Sequence, residues 1–163
     1  MKVLIINPPF TGLGGLEGHG GSMAPLGLGY IISFVSQIHP DYKFSFYDAE
    51  VLGKSFKDIQ GQVESFRPNV VAINMTTPSY FHTIKSAEAV KNVSTDIITI
   101  VGGPHPSAFP EEVVQESFID CCVSGEGENA FLKFLETLDK GGSLDSIPGL
   151  SHSLNGTPHI SKA

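Results

Sequence analysis

Cysteine is scarce in this 163-residue chain: there are two, and they are adjacent, Cys121 and Cys122. In an extended segment neighbouring side chains point to opposite faces, so the pair is poorly placed to form a disulfide. Basic residues are also few. Ten Lys and Arg stand against seventeen Asp and Glu, giving a net charge of −7. No Lys/Arg patch forms, which excludes the electrostatic footprint of a nucleic-acid binder. Long apolar runs are missing too; none approaches the ~20 residues of a membrane span. The opening Met1-Lys2-Val3-Leu4-Ile5-Ile6 is cut short by Asn7-Pro8-Pro9 and has no secretory h-region. Free thiols without an export signal lead us to expect a cytoplasmic protein.

Several familiar site motifs are absent. Glycine is dense from Gly12 to Gly21, and Asp48 closes a candidate strand, which invites a dinucleotide reading. Yet no G-x-G-x-x-G fits: counted from Gly12 the third glycine falls on Glu17, and from Gly27 on Ile32. Gly53-Lys54-Ser55 mimics the tail of a phosphate loop, but its first glycine would be Asp48, a carboxylate that repels phosphate. A receiver domain needs an acceptor Asp at the third strand end, where Asn74-Met75-Thr76-Thr77 stands. No histidine pair has i, i+4 spacing and no Cys-x-x-Cys occurs, so no structural metal site is indicated. No nucleophile–base pair points to a hydrolase or reductase.

What is present is a rhythm. With 40% hydrophobic residues and mean hydropathy of +0.08, the composition is globular and sufficient for one domain with its own core. Short, near-continuous apolar runs mark strands at 2–7, 43–48, 69–74, 96–101 and 119–123, each buried on both faces. Helical stretches alternate with them: 26–38 between Pro25 and Pro40; Ser55, a cap, to Phe66 before Pro68; a third after Pro78-Ser79; a fourth from Pro110-Glu111-Glu112; and a fifth over 127–139, stopped by Gly141-Gly142. Five β-α units predict an α/β, flavodoxin-like doubly wound parallel sheet of five strands, in the order 2-1-3-4-5. After Gly142 the rhythm changes. Leu150 to Ile160, with Asn155-Gly156 at its centre, reads as a C-terminal β-hairpin. The chain thus divides into residues 1–142 and an extension, 143–163.

In open α/β sheets ligands bind at the carboxyl ends of the strands. Four loops belong to that rim: the long glycine-rich segment 8–24; Thr76-Thr77-Pro78-Ser79-Tyr80; Gly102-Gly103-Pro104-His105-Pro106-Ser107; and Gly125-Glu126-Gly127-Glu128. Glycine lets backbone N–H groups approach a ligand closely. Hydroxyls and carboxylates can meet amides and hydroxyls, and fixed positive charge is scarce. Such a rim suits a large, mostly neutral, amide-rich ligand. Each residue also has a plainer role to set beside that one. Thr76, Thr77 and Ser79 can cap a helix. Glu126 and Glu128 can sit at a helix N-terminus, favoured by its dipole. His105 can hydrogen-bond local backbone, and Met75 and the two cysteines can simply pack.

The ordered set Asn7-Pro8-Pro9, Pro25-Leu26-Gly27-Leu28-Gly29-Tyr30, Asp48, Pro68 to Ile73, Gly102-Gly103-Pro104-His105, Gly125-Glu126-Gly127-Glu128 and Ile147-Pro148-Gly149-Leu150 resembles the N-terminal cobalamin-binding domain of cobalamin-dependent radical SAM enzymes. Within that family it is similar to the anaerobic magnesium-protoporphyrin IX monomethyl ester oxidative cyclases, a broad label that includes methyltransferases. The resemblance implies a Rossmann-like fold with cobalamin seated over the rim. Its contacts would be Thr76, Thr77, Pro78, Ser79, Tyr80, Gly102, Gly103, Pro104, His105, Gly125, Glu126, Gly127 and Glu128, with the nucleotide tail in a cleft against the sheet.

Mutases and methionine synthases place a histidine on cobalt through Asp-x-His-x-x-Gly. No histidine here has Asp two residues before it, so base-off binding without a histidine ligand is expected. A radical SAM domain carries Cys-x-x-x-Cys-x-x-Cys, which two cysteines cannot supply. S-adenosylmethionine and the 4Fe-4S cluster would then belong to a downstream domain of the same polypeptide, and this chain alone would not be catalytic. The alternative is a flavodoxin-like regulatory or interaction domain that no longer binds a cofactor.

Overall fold

Six strands pair side by side in the computed structural model, which describes residues 1–10, 25–153 and 157–161. In chain order the elements are β1 (Lys2–Asn7), α1 (Leu26–Ile38), β2 (Lys43–Asp48), α2 (Phe56–Phe66), β3 (Val70–Asn74), α3 (Tyr80–Val93), β4 (Ile98–Gly102), α4 (Pro104–Ala108), α5 (Pro110–Val113), β5 (Cys121–Val123), α6 (Gly127–Lys140) and β6 (Leu150–His152). The sheet order is β2-β1-β3-β4-β5-β6, and the first five strands run parallel. The expected 2-1-3-4-5 order is therefore the observed one, with the reversal of winding between β1 and β3.

Alternation along the strands divides the core in two. Leu4, Ile6, Val71, Ile73 and Val101 face α2, α3 and α5. Val3, Ile5, Val70, Ile100 and Cys121 face α1 and α6. Local chemistry sets the helix ends. Ser55 Oγ accepts from Asp58 N at 3.3 Å while Asp58 Oδ2 accepts from Ser55 N at 2.8 Å, a complete capping box. Gly141, at φ 66°, ends α6 in the left-handed conformation.

Two features refine the expectation. The five expected parallel strands are all present, and one arm of the expected hairpin, Leu150–His152, adds a sixth strand by pairing antiparallel with β5. This pairing covers the edge that β5 would otherwise leave open, and it fully buries Leu150. His152 and His159 then exchange backbone hydrogen bonds of 3.0 and 2.8 Å, so the two arms of the expected hairpin do meet. The Asn155-Gly156 turn itself lies outside the described residues. Secondly, Pro104 to Ala108 is a short helix rather than an open loop. Pro104 supplies a preset φ at its first position, and Pro110 forces the break at Phe109 before α5.

At the amino end of the sheet one carboxylate ties β4, β5 and α3 together. Asp120 Oδ2 accepts from Lys91 Nζ at 2.5 Å, Thr99 N at 2.7 Å and Thr99 Oγ1 at 3.0 Å. Lys91 Nζ also donates to Ile97 O at 2.7 Å. Both charged side chains are largely buried. Asp120→Ala leaves the ammonium without its counter-ion and the Thr99 backbone N–H without its acceptor, while the Thr99 hydroxyl keeps Phe118 O at 2.6 Å. The expected loss is about 2–4 kcal/mol of stability in urea denaturation, with Asp120→Asn costing less. Equal stability of the alanine variant and wild type would refute the role.

Candidate functional site

At the carboxyl end of the sheet a cleft of about 400 Å³ opens between α1 and α6. Its floor is sheet: Ile5, Ala72, Ile100 and Val123. Leu28 and Ile31 of α1 and Phe131 of α6 form its walls. Its mouth is made by Asn74, Thr76, Gly102, Gly103, Pro104 and the segment from Gly125 to Glu128. Parallel strands end together and their loops turn outward, so the location is that of a ligand crevice in an open α/β sheet. A wider depression of about 930 Å³ lies at the other end of the sheet, around Arg67, Asn69 and Asp96, among helix ends and strand starts.

The mouth is laced together by its own hydrogen bonds. Met75 N donates to Gly102 O at 2.8 Å, and His105 N donates to Met75 O at 3.3 Å. Thr76 and Ser79 close a small turn through Thr76 N to Ser79 Oγ at 3.0 Å. On the other flank Ser124 Oγ donates to Pro106 O at 3.1 Å, and Gly125 N donates to Ser107 Oγ at 3.0 Å. Helix α4 thus joins the loop after β3 to the loop after β5. Gly103 stands at the junction with φ 121° and ψ −169°, a region open essentially to glycine.

The residues expected from sequence separate into two groups. Thr76, Gly102, Gly103, Pro104, Gly125, Glu126, Gly127 and Glu128 line the cleft. Thr77, Pro78, Ser79, Tyr80 and His105 do not. Ser79 is buried in its turn, while Thr77 and Pro78 are exposed. His105 is buried with its ring between Tyr80, at 4.8 Å, and Phe109, at 5.2 Å; its Nδ1 pairs with Thr77 Oγ1 at 3.2 Å. Tyr80 donates its hydroxyl to Glu116 Oε1; burial, reinforced by that carboxylate, pushes the phenol well above its ordinary range. These residues support the rim from behind. Glu126 occupies the N-cap of α6 without a side-chain cap bond, and Glu128 lies in the first turn.

Pro25, which caps α1, Gly27 and Leu28 of α1, Asn74 and the apolar floor were not among the contacts expected for the site. The Pro25-Leu26-Gly27-Leu28-Gly29 start of α1 was the available signal, since a helix opening with two glycines leaves space beside it. The floor residues read from sequence as ordinary strand core. Segment 11–24, the larger part of the expected first rim loop, lies outside the described residues.

The remaining chemistry is sparse. Both thiols are buried; burial raises that of Cys121 and pushes that of Cys122 up to about 12, so neither is a ready nucleophile. Among the described residues no three His, Cys, Asp or Glu side chains are grouped to hold a metal ion. No described helix is long and apolar enough to cross a membrane.

The sequence pattern of the B12 binding domain matches residues 17–135. That span includes α1, the strands β2 to β5, and the mouth of the cleft. The chain belongs to the B12-binding domain family. An uncharacterized methyltransferase of Pyrococcus horikoshii is 36% identical over 158 residues, covering 96% of this chain and 33% of that protein. The anaerobic magnesium-protoporphyrin IX monomethyl ester cyclase of Rubrivivax gelatinosus is 28% identical over 142 residues, covering 86% of this chain and 25% of the cyclase. This B12-binding domain therefore spans a third or less of the length of these curated relatives. Its fold is that of a region of the cobalamin-dependent S-adenosylmethionine radical enzyme OxsB, solved with aqua-cobalamin and S-adenosylmethionine bound. The TM-score is 0.81 at 18% identity, over 99% of this chain and 22% of OxsB.

Proposed function

We propose that this B12-binding domain binds cobalamin across the carboxyl rim of the sheet, as the cofactor module of a longer radical SAM enzyme. The observation that carries the reading is the apolar cleft with a glycine-rich mouth, nearly all of whose lining falls in the segment matched by the family pattern. The donor set fits the cofactor. A neutral corrin rich in amides meets Thr76, backbone of the glycine loops and the Glu126 and Glu128 carboxylates rather than a cationic phosphate cradle. A volume of about 400 Å³ suits a fragment of drug size, so a ligand as large as cobalamin would place its nucleotide tail in the cleft and its ring over the mouth.

Cobalamin supplies a cobalt centre for group transfer when bound. The chain's own part is to hold and orient it. The wall and floor side chains exclude water from the tail, and the laced loops present a rim that needs little reordering. We assign base-off binding without a histidine ligand. Among the described residues the cleft lining contains no histidine, and His105 lies outside it, packed between Tyr80 and Phe109; His19 lies outside the described residues. S-adenosylmethionine and the 4Fe-4S cluster would be held by a downstream domain reached through the 143–163 extension. Methyl transfer or oxidative cyclisation, the latter on a tetrapyrrole, are the reactions the relatives' names suggest for the whole protein.

Mixing the purified chain with hydroxocobalamin, desalting and reading the visible spectrum tests the proposal. Stoichiometric corrin absorbance on the protein is expected. A colourless protein would overturn the reading and favour a domain that has lost its cofactor. Reduction to Co(II) should give an EPR spectrum without nitrogen coupling; nitrogen ligation from the protein would sink the histidine-free assignment.

A further inference from the structure

Asp48, Asn7 and Asn74 end the neighbouring strands β2, β1 and β3, and Asn7 stands in register with Asp48. Their side chains form a row. Asp48 Oδ1 accepts from Asn7 Nδ2 at 3.0 Å and from the backbone N–H of Val51 at 3.1 Å. Asn7 Oδ1 in turn accepts from Asn74 Nδ2 at 3.5 Å. All three groups are part-buried.

This row has a direction. An amide carries a donor end and an acceptor end, and either could face its neighbour; a carboxylate only accepts. Asp48 therefore requires the NH2 of Asn7. With its donor end turned to Asp48, Asn7 offers its carbonyl to Asn74. Asn74 must then give its NH2 to Asn7 and turn its Oδ1 away from the row. That oxygen lies against Gly103, 2.9 Å from the position a Cβ there would occupy, and Asn74 lines the cleft. The backbone carbonyl of Asn74 is separately occupied by Thr83 Oγ1 at 3.0 Å, so α3 holds the main chain while the row sets the side chain.

We infer that Asn74 Oδ1 is a specificity-determining acceptor of the cofactor site, and that Asn7 on the next strand and Asp48 on the strand beyond it are positioning residues that fix its polarity. The acceptor would take an N–H of a corrin side-chain amide or an O–H of the nucleotide tail. This inference rests on the proposed cobalamin binding and adds to it a reason for preferring a donor-bearing ligand.

Spectral titration of the chain with three corrinoids tests it: cobalamin; cobinamide, which keeps the amides and lacks the nucleotide; and heptamethyl cobyrinate, whose esters carry no N–H. Asn74→Leu is expected to weaken cobalamin binding about five- to tenfold, the worth of one hydrogen bond. Asp48→Leu, which removes a side chain outside the cleft, should weaken it by a similar factor. Asp48→Asn keeps an oxygen for Asn7 and Val51 and should restore binding to within about twofold of wild type. Heptamethyl cobyrinate should bind all four proteins alike. If cobinamide shows the same losses as cobalamin, the donor is a ring amide; if only cobalamin does, it is a nucleotide hydroxyl, and both results support the acceptor. Unchanged cobalamin affinity in Asn74→Leu and Asp48→Leu would overturn the inference. So would an equal loss for the ester, which signals a general packing defect. Failure of the wild-type chain to bind cobalamin at all would instead remove the proposed function on which the inference rests.

Discussion

Gly102→Leu is expected to abolish cobalamin retention and leave the fold standing. Gly102 ends β4 on the same face as Ile100, toward the cleft. A Cβ built on it meets only Val123 Cβ, at 4.0 Å, which is ordinary van der Waals contact. The backbone therefore accepts a side chain without strain. The remaining carbons of leucine have to go forward into a cleft of about 400 Å³ that the cofactor's tail would need. Loss of that space removes apolar burial and forces the ligand off the rim, so affinity should fall on the order of 100-fold or more. The melting temperature should move by only a few degrees, since added apolar surface in open space strains nothing. Spectral titration and calorimetry read the two quantities. Unchanged affinity with leucine at 102 would show that the cofactor lies elsewhere.

The next residue should give the opposite phenotype. At Gly103 a Cβ would sit 2.7 Å from Met75 O and 2.9 Å from Asn74 Oδ1. The first contact is with backbone, which can yield only by pulling the loop after β3 away from β4. It would break the bond from His105 N to Met75 O and strain that from Met75 N to Gly102 O. The dihedral angles add their own penalty, because φ 121° with ψ −169° is scarcely available to any other residue. Gly103→Val should cost about 3 kcal/mol or more and lower Tm on the order of 10 °C. Denaturant titration measures this directly. A variant as stable as wild type would mean that the rim is looser than its lacing implies. Cofactor retention should also fail, but as a consequence of the disturbed loop, and Gly102→Leu separates the two causes.

Two adjacent glycines with different duties illustrate what could be read in advance. The pair Gly102-Gly103 after an apolar run signalled a special turn at a strand end. Which glycine keeps a cleft empty and which tolerates a forbidden backbone angle depends on Val123 and Met75, contributed by neighbouring strands. The same division holds for the histidine that follows. Placed in a glycine-rich rim loop, His105 had the look of a ligand contact. Pro104 instead starts a helical turn, and His105 packs inward between Tyr80 and Phe109. Conversely Asn74 was passed over, since one amide at a strand end carries no signal until Asn7 and Asp48 stand beside it.

The sequence by itself determined the class of fold and the number and order of the parallel strands, and it pointed to the carboxyl end of the sheet as the place for a ligand. These follow from short-range physics: apolar runs that must be buried on both faces, prolines and glycines that stop helices, and the fixed hand of β-α-β connections. Helix α1, from Leu26 to Ile38, and the start of β1 were legible to the residue for that reason. Only the tertiary structure decided which rim residues face the cleft, that Pro104 to Ala108 coils into a helix, and that Asp48 orients an amide two strands away. Those outcomes come from pairing and packing between segments tens of residues apart, where a register or a facing neighbour assigns each side chain its role.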